Sequence, residues 1–325
     1  MTALNVLIVG GAGYIGSHMV KNLCGRGVNV TTFDNLSSGH RDAVLGGEFI
    51  QGDLADRAAL EQVFAAHRFD AVMHFASFIE VGESVRLPAK YYRNNVSNTL
   101  NLLECMQAAG VEQFIFSSTA ALFGIPQRVP IDESHPTDPI NPYGRSKLMV
   151  EQILADLGRA HGLRSVCLRY FNAAGADPDG QLGERHNPET HLIPLVLQAA
   201  SGRRPSMSVF GTDYDTPDGT CIRDYVHVAD LCEAHWLALQ SLAQGAGSQA
   251  YNLGNGDGFS VFEVIDTVRS VTGREFTVKH ETRRAGDPSR LVADSSAARQ
   301  KLGGVPKYPS LRTIVEHAWA FEQRR

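Results

Sequence analysis

The fold of this chain is decided by the stretch Val6-Leu7-Ile8-Val9-Gly10-Gly11-Ala12-Gly13-Tyr14-Ile15-Gly16-Ser17-His18. Its leading apolar residues predict a strand buried on both faces, and apolar residues at helical spacing follow the glycines. Such a turn leaves backbone N–H groups at the start of a helix, where the helix dipole also favours a pyrophosphate. Gly10 allows the tight turn, Gly13 lets phosphate oxygens approach the backbone, and Gly16 lets helix and strand pack closely. The stretch therefore predicts a dinucleotide-binding turn.

An acidic residue follows the second predicted strand. Residues 28–33 have strand character, and Asp34 and Asn35 come directly after them. An acid about 20 residues beyond the glycines accepts hydrogen bonds from the adenosine ribose hydroxyls, and its charge repels a 2′-phosphate. The position of Asp34 therefore favours NAD over NADP, while the alternative interpretation is a turn that closes the strand.

Composition argues against several classes of function. The chain has 325 residues, which suits one large or two closely packed domains, and a formal net charge of −5, which argues against a nucleic-acid surface. Its five cysteines are scattered and form no C-x-x-C pair, so we expect free thiols in a reducing cytoplasm. No apolar run reaches transmembrane length, so we expect no association with a membrane.

Strand-like and helical segments alternate through the first half of the chain, which predicts an α/β fold with a doubly wound parallel, Rossmann-like sheet. The predicted strands are residues 6–9, 28–33, 48–51, 70–76, 113–118, 165–170 and 251–253. The predicted helices include about 56–66, 89–109, 143–160, 192–200, 226–242 and 311–323. Since Pro, Gly and Asp become frequent after residue 172, we predict an NAD-binding domain over 1–172, re-entered around 223–254. A smaller mixed α/β domain over 173–325 is expected to bind most of the substrate.

Tyr143 and Lys147 open the helix that follows the fifth predicted strand. Residues four apart lie on one helix face, so one ammonium can sit beside one phenol. The pKa of an isolated phenol is about 10. A positive charge at roughly 4 Å stabilises the phenolate by about 4 kcal/mol at an effective dielectric of about 20, which lowers the pKa by on the order of three units. The pair predicts a tyrosinate that takes a proton from an alcohol or sugar hydroxyl as hydride leaves its carbon. The alternative is an ordinary amphipathic helix start.

These features together resemble the extended short-chain dehydrogenase/reductase family. Further motifs narrow the resemblance to the UDP-glucose (UDP-galactose) 4-epimerases, and they are spread over almost the whole chain. They comprise residues 10–17, 34–35, 52–53, 74–76, 81–84, 94–96, 116–119, 141–147, 169–175, 191–194, 210–211, 218–228, 251–254 and 283–287. The resemblance implies a tightly bound NAD that is not consumed and a UDP-sugar substrate. It also implies a homodimer, formed by the helices near 89–109 and 143–160.

The resemblance also implies a role for each matching residue. Tyr143 is the general base and acid, Lys147 lowers its pKa and holds the nicotinamide ribose, and Thr119 hydrogen-bonds the sugar 4-hydroxyl. The residues expected to bind the cofactor are Gly10, Gly13, Tyr14, Ile15, Gly16, Asp34, Asn35, Asp53, Leu54, Phe75, Ala76, Asn94, Tyr143, Lys147 and Phe171. The residues expected to bind the UDP-sugar are Thr119, Tyr143, Asn172, His191, Leu192, Phe210, Arg223, Arg284 and Asp287. The roles of Arg223 and Arg284 also follow from chemistry without the resemblance, because a pyrophosphate needs cationic donors.

The implied reaction interconverts UDP-galactose and UDP-glucose. Tyr143 removes the proton of the 4-hydroxyl, C4 gives its hydride to NAD, the 4-ketopyranose turns over, and the hydride returns to the other face. A 4,6-dehydratase is disfavoured because Ala120 and Ala121 follow Thr119 where that enzyme needs an acid pair. Another UDP-sugar stays open as the substrate, with N-acetylgalactosamine, arabinose, xylose or glucuronate as its sugar. The resemblance aligns Leu291 with a residue that limits bulk at the sugar 2-position, and leucine is smaller than an aromatic residue, so an N-acetylated sugar is not excluded. A non-catalytic NAD-binding regulator is the remaining alternative.

The histidines predict no metal site. His186 and His191 are near each other in sequence, but Asn187 and Pro188 between them indicate a loop. No set of acidic residues and histidines has the spacing typical of metal ligands. We therefore expect no metal cofactor.

Overall fold

The computed structural model describes residues 3–284 and 287–325. Its strands are β1 (Asn5–Val9), β2 (Asn29–Asp34), β3 (Glu48–Gln51), β4 (Ala71–His74), β5 (Gln113–Thr119), β6 (Arg164–Tyr170), β7 (Asn172–Ala174), β8 (Met207–Phe210), β9 (Ile222–Arg223), β10 (Tyr225–His227), β11 (Gln249–Leu253), β12 (Phe259–Ser260), β13 (Val278–Glu281) and β14 (Arg290–Leu291). Its α-helices are α1 (Tyr14–Gly25), α2 (Arg57–Ala66), α3 (Val81–Arg86), α4 (Pro88–Tyr92), α5 (Asn98–Ala108), α6 (Pro142–His161), α7 (Leu192–Ala200), α8 (Val228–Ala243), α9 (Val261–Thr272), α10 (Ser296–Leu302) and α11 (Leu311–Glu322). Across this described part of the chain, no helix combines the length and the apolarity that crossing a bilayer requires.

Seven of the strands form one central sheet in which every neighbouring pair runs parallel. Their spatial order is β3-β2-β1-β4-β5-β6-β11, so the chain starts inside the sheet and winds outward in both directions. This confirms the predicted doubly wound parallel sheet. Val6, Leu7 and Ile8 in β1 are fully buried, as a strand covered on both faces requires.

Helices cover both faces of the sheet. On one face, α1 and α8 bury Met19, Leu23 and Leu239. On the other, α2 and α5 bury Leu60 and Leu102. All five side chains are 0% exposed, which stabilises the fold by about 1.5–3 kcal/mol for each relative to an exposed position. The winding direction changes beside β1, and this leaves a crevice at the carboxyl ends of β1 and β4.

The later part of the chain builds a smaller mixed α/β layer. Strand β7 pairs with β10, β8 pairs with β13, and β9 pairs with both β12 and β14. Helices α7, α9 and α11 form a separate core that contains Ile193, Val264 and Ile314. In contrast, α8 and β11 return to the central sheet. The proposed domain limits, 1–172 with re-entry at 223–254 and then 173–325, stay a prediction.

Two predicted helices differ from the structure. The helix predicted at 89–109 is interrupted by a π-helical turn (Arg93–Ser97) between α4 and α5. Asn95 in this turn is buried and exchanges two hydrogen bonds with the backbone of Phe78, at 2.9 and 3.0 Å, which tie the wider turn to the neighbouring loop. The helix predicted from residue 226 begins at Val228, because β10 pairs with β7 instead.

Candidate active site

The glycine-rich turn between β1 and α1 leaves space for a ligand at Gly13. Gly10 has a φ of +83°, and a Cβ there would lie 2.4 Å from the backbone nitrogen of Ala76. A Cβ on Gly16 would lie 2.1 Å from the carbonyl oxygen of Gly10, whereas one on Gly13 would meet nothing closer than 3.5 Å. Within the described residues, α1 begins with no side-chain cap and no acidic residue in its first turn. Its leading N–H groups therefore suit a pyrophosphate.

The first two residues of α1 are Tyr14 and Ile15, and both side chains are engaged within the protein. The Tyr14 hydroxyl donates a hydrogen bond to the carbonyl oxygen of Gly175 at 2.7 Å. Ile15 packs against the core on the α1 side of the sheet. The cofactor contact predicted for these two residues would therefore come from their backbone N–H groups.

The carboxylate of Asp34 closes the other side of the turn. Its Oδ2 accepts a hydrogen bond from the N–H of Ala12 at 2.9 Å, and its Oδ1 accepts one from the N–H of Leu36 at 2.8 Å. The residue is buried, and each oxygen retains a lone pair for a ribose hydroxyl. Beyond it, Asn35 donates to Asp53 at 2.7 Å. The structure thus brings the residues predicted for the adenosine side together.

The segment after β4 lies against the glycine-rich turn. The N–H groups of Phe75 and Ala76 both donate to the carbonyl oxygen of Val9, at 2.7 and 3.1 Å. The Phe75 ring also packs on the His235 ring, with 4.9 Å between their centroids. This segment therefore lines the crevice beside β1. That position agrees with the cofactor contacts predicted for Phe75 and Ala76.

Three further predicted cofactor contacts are spread around the same edge. Leu54 follows β3 and belongs to the core cluster that contains Phe33. Asn94 lies in the π-helical turn, and its Nδ2 donates to Asn95 at 3.0 Å. Phe171 follows β6 and packs on the apolar cluster around Leu122. Whether each of them touches the cofactor stays a prediction.

The predicted catalytic tyrosine faces the end of β5. Thr119 is the last residue of that strand, and Tyr143 lies in the first turn of α6. The helix start is set by Asn141, whose side chain accepts a hydrogen bond from the N–H of Gly144 at 2.9 Å. Burial raises the pKa of Tyr143 above its ordinary value, and a hydrogen bond with Thr119 opposes that shift. The pair can therefore share a proton with one substrate hydroxyl.

Lys147 lies one turn further along α6, and its ammonium donates its hydrogen bonds to groups other than the Tyr143 hydroxyl. Its Nζ donates to Ser77 Oγ at 2.7 Å and to the carbonyl oxygen of Ser117 at 2.8 Å, and it lies 6.0 Å from the centroid of the Tyr143 ring. Burial lowers the pKa of Lys147 to about 7, while Glu151 opposes that shift. That Lys147 lowers the pKa of Tyr143 stays a prediction, because burial and the hydrogen bond with Thr119 are the causes of the shift described above. No role was predicted for Ser77, Ser117 or Glu151 from the sequence.

Four of the residues predicted to bind the UDP-sugar form one group in the smaller layer. This group, the nucleotide cluster, consists of Phe210, Arg223, Arg284 and Asp287. The Arg284 guanidinium lies over the Phe210 ring, 4.0 Å from its centroid. Arg223 forms an ion pair with Asp287 at 2.6 Å. Two guanidinium groups, a carboxylate and an aromatic face suit a pyrophosphate, a ribose hydroxyl and a base.

Leu291 connects the nucleotide cluster to the catalytic residues. In the parallel pairing of β14 with β9, Leu291 stands opposite Arg223. Its half-buried side chain packs on an apolar cluster that includes Ala120 and Leu122. Leu291 therefore neighbours the strand that carries Arg223 and also the apolar cluster that starts directly after Thr119.

The remaining predicted substrate residues lie in β7 and at the start of α7. The Nδ2 of Asn172 donates to the carbonyl oxygen of Asp224 at 2.9 Å. His191 immediately precedes α7, and Leu192 is its first residue. Within the described residues, neither Asn172 nor His191 forms a side-chain hydrogen bond with the nucleotide cluster, and their contacts with the UDP-sugar stay a prediction.

The loop between β7 and α7 brings together four residues that sequence analysis did not join. This group, the loop cluster, consists of Glu184, His186, Glu189 and His191, and one nitrogen or oxygen atom of each lies within 4.8 Å of the others. The expectation that the chain binds no metal stays a prediction, although these four side chains converge without any typical ligand spacing in the sequence. An irregular loop folds positions separated by two, three and two residues onto one point, and such a pattern has no periodicity to detect.

Residues 6–254 match the NAD dependent epimerase/dehydratase family. The chain belongs to this family. The matched range contains the glycine-rich turn together with Thr119, Tyr143 and Lys147, and it ends before Arg284.

Proteins named UDP-glucose 4-epimerase match beyond that range. The one from Rhizobium meliloti (strain 1021) is 53% identical over 321 residues, which cover 99% of this chain and 98% of the relative. A crystal structure of UDP-glucose 4-epimerase from Brucella ovis in complex with NAD has a TM-score of 0.96 and 51% identity, covering 98% of this chain and 99% of that chain. A crystal structure of UDP-glucose-4-epimerase from Stenotrophomonas maltophila with bound NAD and formylated UDP-arabinopyranose has a TM-score of 0.95 and 39% identity, covering 99% of this chain and 98% of that chain. These similarities confirm the resemblance predicted from the motifs.

Proposed function

We propose that this chain interconverts UDP-galactose and UDP-glucose, with NAD as a resident cofactor. The observation that carries the proposal is the position of the Thr119–Tyr143 pair. It lies at the carboxyl end of β5, two strands along the sheet from the glycine-rich turn, and Leu291 joins it to the nucleotide cluster. A UDP-sugar anchored at that cluster brings its pyranose ring towards the phenol.

The residues around the glycine-rich turn suit NAD. Gly13 leaves space for a pyrophosphate, and Asp34 offers two carboxylate oxygens to a ribose while opposing the 2′-phosphate of NADP. In its charged form Lys147 has three protons on Nζ and donates two of them to Ser77 and Ser117, so one remains for the nicotinamide ribose. When bound, NAD supplies reversible acceptance of the hydride from C4 of the sugar.

Tyr143 moves the proton of the sugar 4-hydroxyl. In the ligand-free chain, burial holds the pKa of Tyr143 above its ordinary value, so the phenol is protonated at neutral pH. The positive charges of Lys147 and of the oxidised cofactor favour the phenolate and act against that shift. Thr119 orients the sugar hydroxyl towards the phenol oxygen. We infer that the base forms only when the cofactor is in place, and that the phenol later returns its proton to the product.

The nucleotide cluster anchors the part of the substrate that does not react. Arg223 and Arg284 present planar donors that suit pyrophosphate oxygens, and Asp287 accepts from a ribose hydroxyl. Phe210 offers a flat apolar face to the base. Binding energy from the nucleotide then retains the 4-ketopyranose while the sugar ring turns over between two orientations.

The proposal is tested by turnover without added cofactor. The purified protein, incubated with UDP-galactose and no NAD, is expected to form UDP-glucose until equilibrium is reached. Denaturation is expected to release about one dinucleotide per chain. No UDP-glucose from protein that retains its dinucleotide would favour the NAD-binding regulator instead. A requirement for added millimolar NAD would contradict the resident cofactor.

Leu291→Tyr is expected to narrow the range of accepted sugars. The half-buried Leu291 side chain packs on the cluster that contains Ala120, and a tyrosine ring there would take up more of the space in which a 2-acetamido group is expected to lie. We expect the wild type to convert UDP-N-acetylgalactosamine as well as UDP-galactose. In the variant, kcat/KM for the N-acetylated substrate should fall at least about tenfold, against less than about threefold for UDP-galactose. An equal fall for both substrates would contradict this role of Leu291.

We infer a homodimer formed through the exposed helices of one face. Leu100 on α5 and Met149 on α6 are 37% and 40% exposed, and Val85 on α3 is 62% exposed. Helices from two copies would bury these apolar side chains in one interface. Light scattering is expected to give the mass of two chains, and Leu100→Glu combined with Met149→Glu the mass of one. The matched control Val305→Glu, at an 84% exposed valine outside these helices, should stay dimeric. A single-chain mass for the wild type would rule the dimer out.

The cytoplasm is the compartment that we propose for this protein. All five of its cysteines are free, and they are Cys24, Cys105, Cys167, Cys221 and Cys232. Burial raises the pKa of Cys167 and Cys232, which keeps these thiols protonated and unreactive. Unpaired thiols in these positions support a reducing environment.

A further inference from the structure

The donor atoms of the loop cluster converge on one point. Glu184 Oε1 lies 3.0 Å from His186 Nδ1 and 2.8 Å from His191 Nδ1. Glu189 Oε1 lies 3.0 Å from His191 Nδ1 and 3.8 Å from His186 Nδ1. Each of the two carboxylates therefore faces both imidazoles, and neither imidazole belongs to one carboxylate alone.

The donor atoms are close enough together for one metal ion to reach all four. Ligand atoms about 2.0–2.2 Å from a tetrahedral zinc ion lie about 3.3–3.6 Å apart. The 3.8 Å separation of His186 Nδ1 from Glu189 Oε1 is near that range, whereas the other three, at 2.8 to 3.0 Å, are hydrogen-bond distances that coordination would lengthen. His186 gives a second, independent sign. Its Nδ1 is buried and has no hydrogen-bond partner of acceptable geometry among the described residues, although a carboxylate oxygen of Glu184 lies 3.0 Å away. A nitrogen in this position offers its lone pair to a cation.

The two carboxylates need a positive partner. The side chains of Glu184 and Glu189 are 6% and 4% exposed, so both have lost most of their hydration while lying next to each other. The arginines nearby are engaged differently, since Arg185 pairs with Asp42 at 2.8 Å and Arg325 donates to the backbone carbonyl of Glu184. Glu189 Oε1 also accepts hydrogen bonds from the backbone N–H groups of Thr190 and His191, at 2.8 and 2.9 Å. The remaining compensation within the cluster comes from charged imidazoles or from a bound metal ion.

We propose that Glu184, His186, Glu189 and His191 bind one divalent transition-metal ion of the zinc class. Two imidazole nitrogens and two carboxylate oxygens form a mixed donor set that suits zinc, whereas calcium and magnesium prefer oxygen ligands alone. Four protein ligands from one loop complete a tetrahedral shell. The site is therefore structural and leaves no position open for a reacting group.

The metal would fix the conformation of a loop that contacts the glycine-rich turn at one end and leads into α7 at the other. At one end, the His186 ring packs edge-on against Tyr14 beside the glycine-rich turn, with 6.4 Å between the centroids. At the other end, His191 leads into α7, whose first residue is Leu192. Coordination through Nδ1 would fix the orientation of His191 and leave its Nε2 free for the UDP-sugar. This positioning role rests on the proposed function, whereas binding of the metal does not.

The test measures metal retained by the dinucleotide-containing protein. The full chain, produced without a polyhistidine tag, is incubated with ZnCl₂, desalted and analysed for zinc by mass spectrometry. We expect about one zinc per chain, and the visible absorption bands of a tetrahedral site when Co²⁺ replaces zinc. His186→Ala and Glu189→Gln are each expected to retain less than about a tenth as much. The matched control His161→Ala, at an exposed histidine of α6, should retain the wild-type amount.

Every outcome decides the proposal. Wild-type protein that retains less than about a tenth of an equivalent of zinc would overturn it and identify the cluster as an ion-pair group. Zinc retained equally by the wild type and both variants would overturn it as well, because the metal would then bind elsewhere. Glu189→Gln keeps the shape of the side chain, and circular dichroism with bound dinucleotide shows that a variant is folded. Wild-type protein that holds one zinc but does not convert UDP-galactose would contradict the proposed function and support the metal site.

Discussion

Tyr143→Phe is expected to lower kcat for UDP-galactose by at least about 10³-fold, because phenylalanine keeps the ring but carries no proton to transfer. The affinity for UDP is expected to change less than about threefold, since the nucleotide cluster around Arg223 consists of other residues. Steady-state turnover measures the first effect, and titration with UDP measures the second. A large fall in kcat with an unchanged affinity for UDP distinguishes a group that acts on the reacting hydroxyl from a group that binds the substrate.

Tyr251→Phe is the matched control for this experiment. It removes the same atom from a buried ring in β11, away from the end of β5, and kcat is expected to stay within about twofold of the wild type. If Tyr143→Phe keeps more than about a tenth of the activity, another group carries the proton. A large loss of UDP affinity in Tyr143→Phe would show that the phenol contributes mainly to binding.

Gly16→Ala is expected to yield protein without bound dinucleotide, destabilised by about 3 kcal/mol or more. The new Cβ would lie 2.1 Å from the carbonyl oxygen of Gly10 and 2.9 Å from the Cα of Gly11. Both are backbone atoms, so no side-chain rotation relieves the contact and the turn itself must widen. That movement displaces the N–H groups at the start of α1, which the pyrophosphate needs. Denaturant unfolding and the dinucleotide released on denaturation measure the two effects.

The same substitution at the other end of α1 provides the control. Gly25 is the last residue of the helix, and a Cβ there meets nothing within 4 Å. Gly25→Ala is therefore expected to stabilise the protein by about 0.5–1 kcal/mol and to leave the dinucleotide content unchanged. A Gly16→Ala protein with the wild-type dinucleotide content and unfolding midpoint would refute the assignment of this turn to the pyrophosphate.

The central sheet and its glycine-rich turn were predictable because their signals are local. The apolar run of β1, the glycines at 10, 13 and 16, and Asp34 at the end of β2 lie within about thirty residues of each other. The nucleotide cluster is different, because Phe210 and Asp287 are far apart in sequence. No spacing relates them, and only the family resemblance placed them in one site.

Features that depend on burial could not be predicted from sequence spacing. The interval between Tyr143 and Lys147 is correct, yet the sequence does not indicate that Ser77 and Ser117 take the protons of the ammonium. Nor does the sequence give the burial that raises the pKa of Tyr143. The π-helical turn at Asn95 was not predicted either, because the apolar pattern on both sides of it is that of one continuous helix.

The contacts that Arg223 and Arg284 already make have a consequence for selectivity. Arg223 forms an ion pair with Asp287, and the guanidinium of Arg284 lies over the face of the Phe210 ring. Each cation therefore already has a favourable electrostatic contact before a ligand binds. Inorganic phosphate or a bare polyanion would have to break these contacts and could offer nothing to the carboxylate or the ring. A ligand that carries a planar heterocycle and a vicinal diol beside its phosphates can replace each broken contact with a new one. We therefore expect small anions to compete poorly with a nucleotide at the nucleotide cluster.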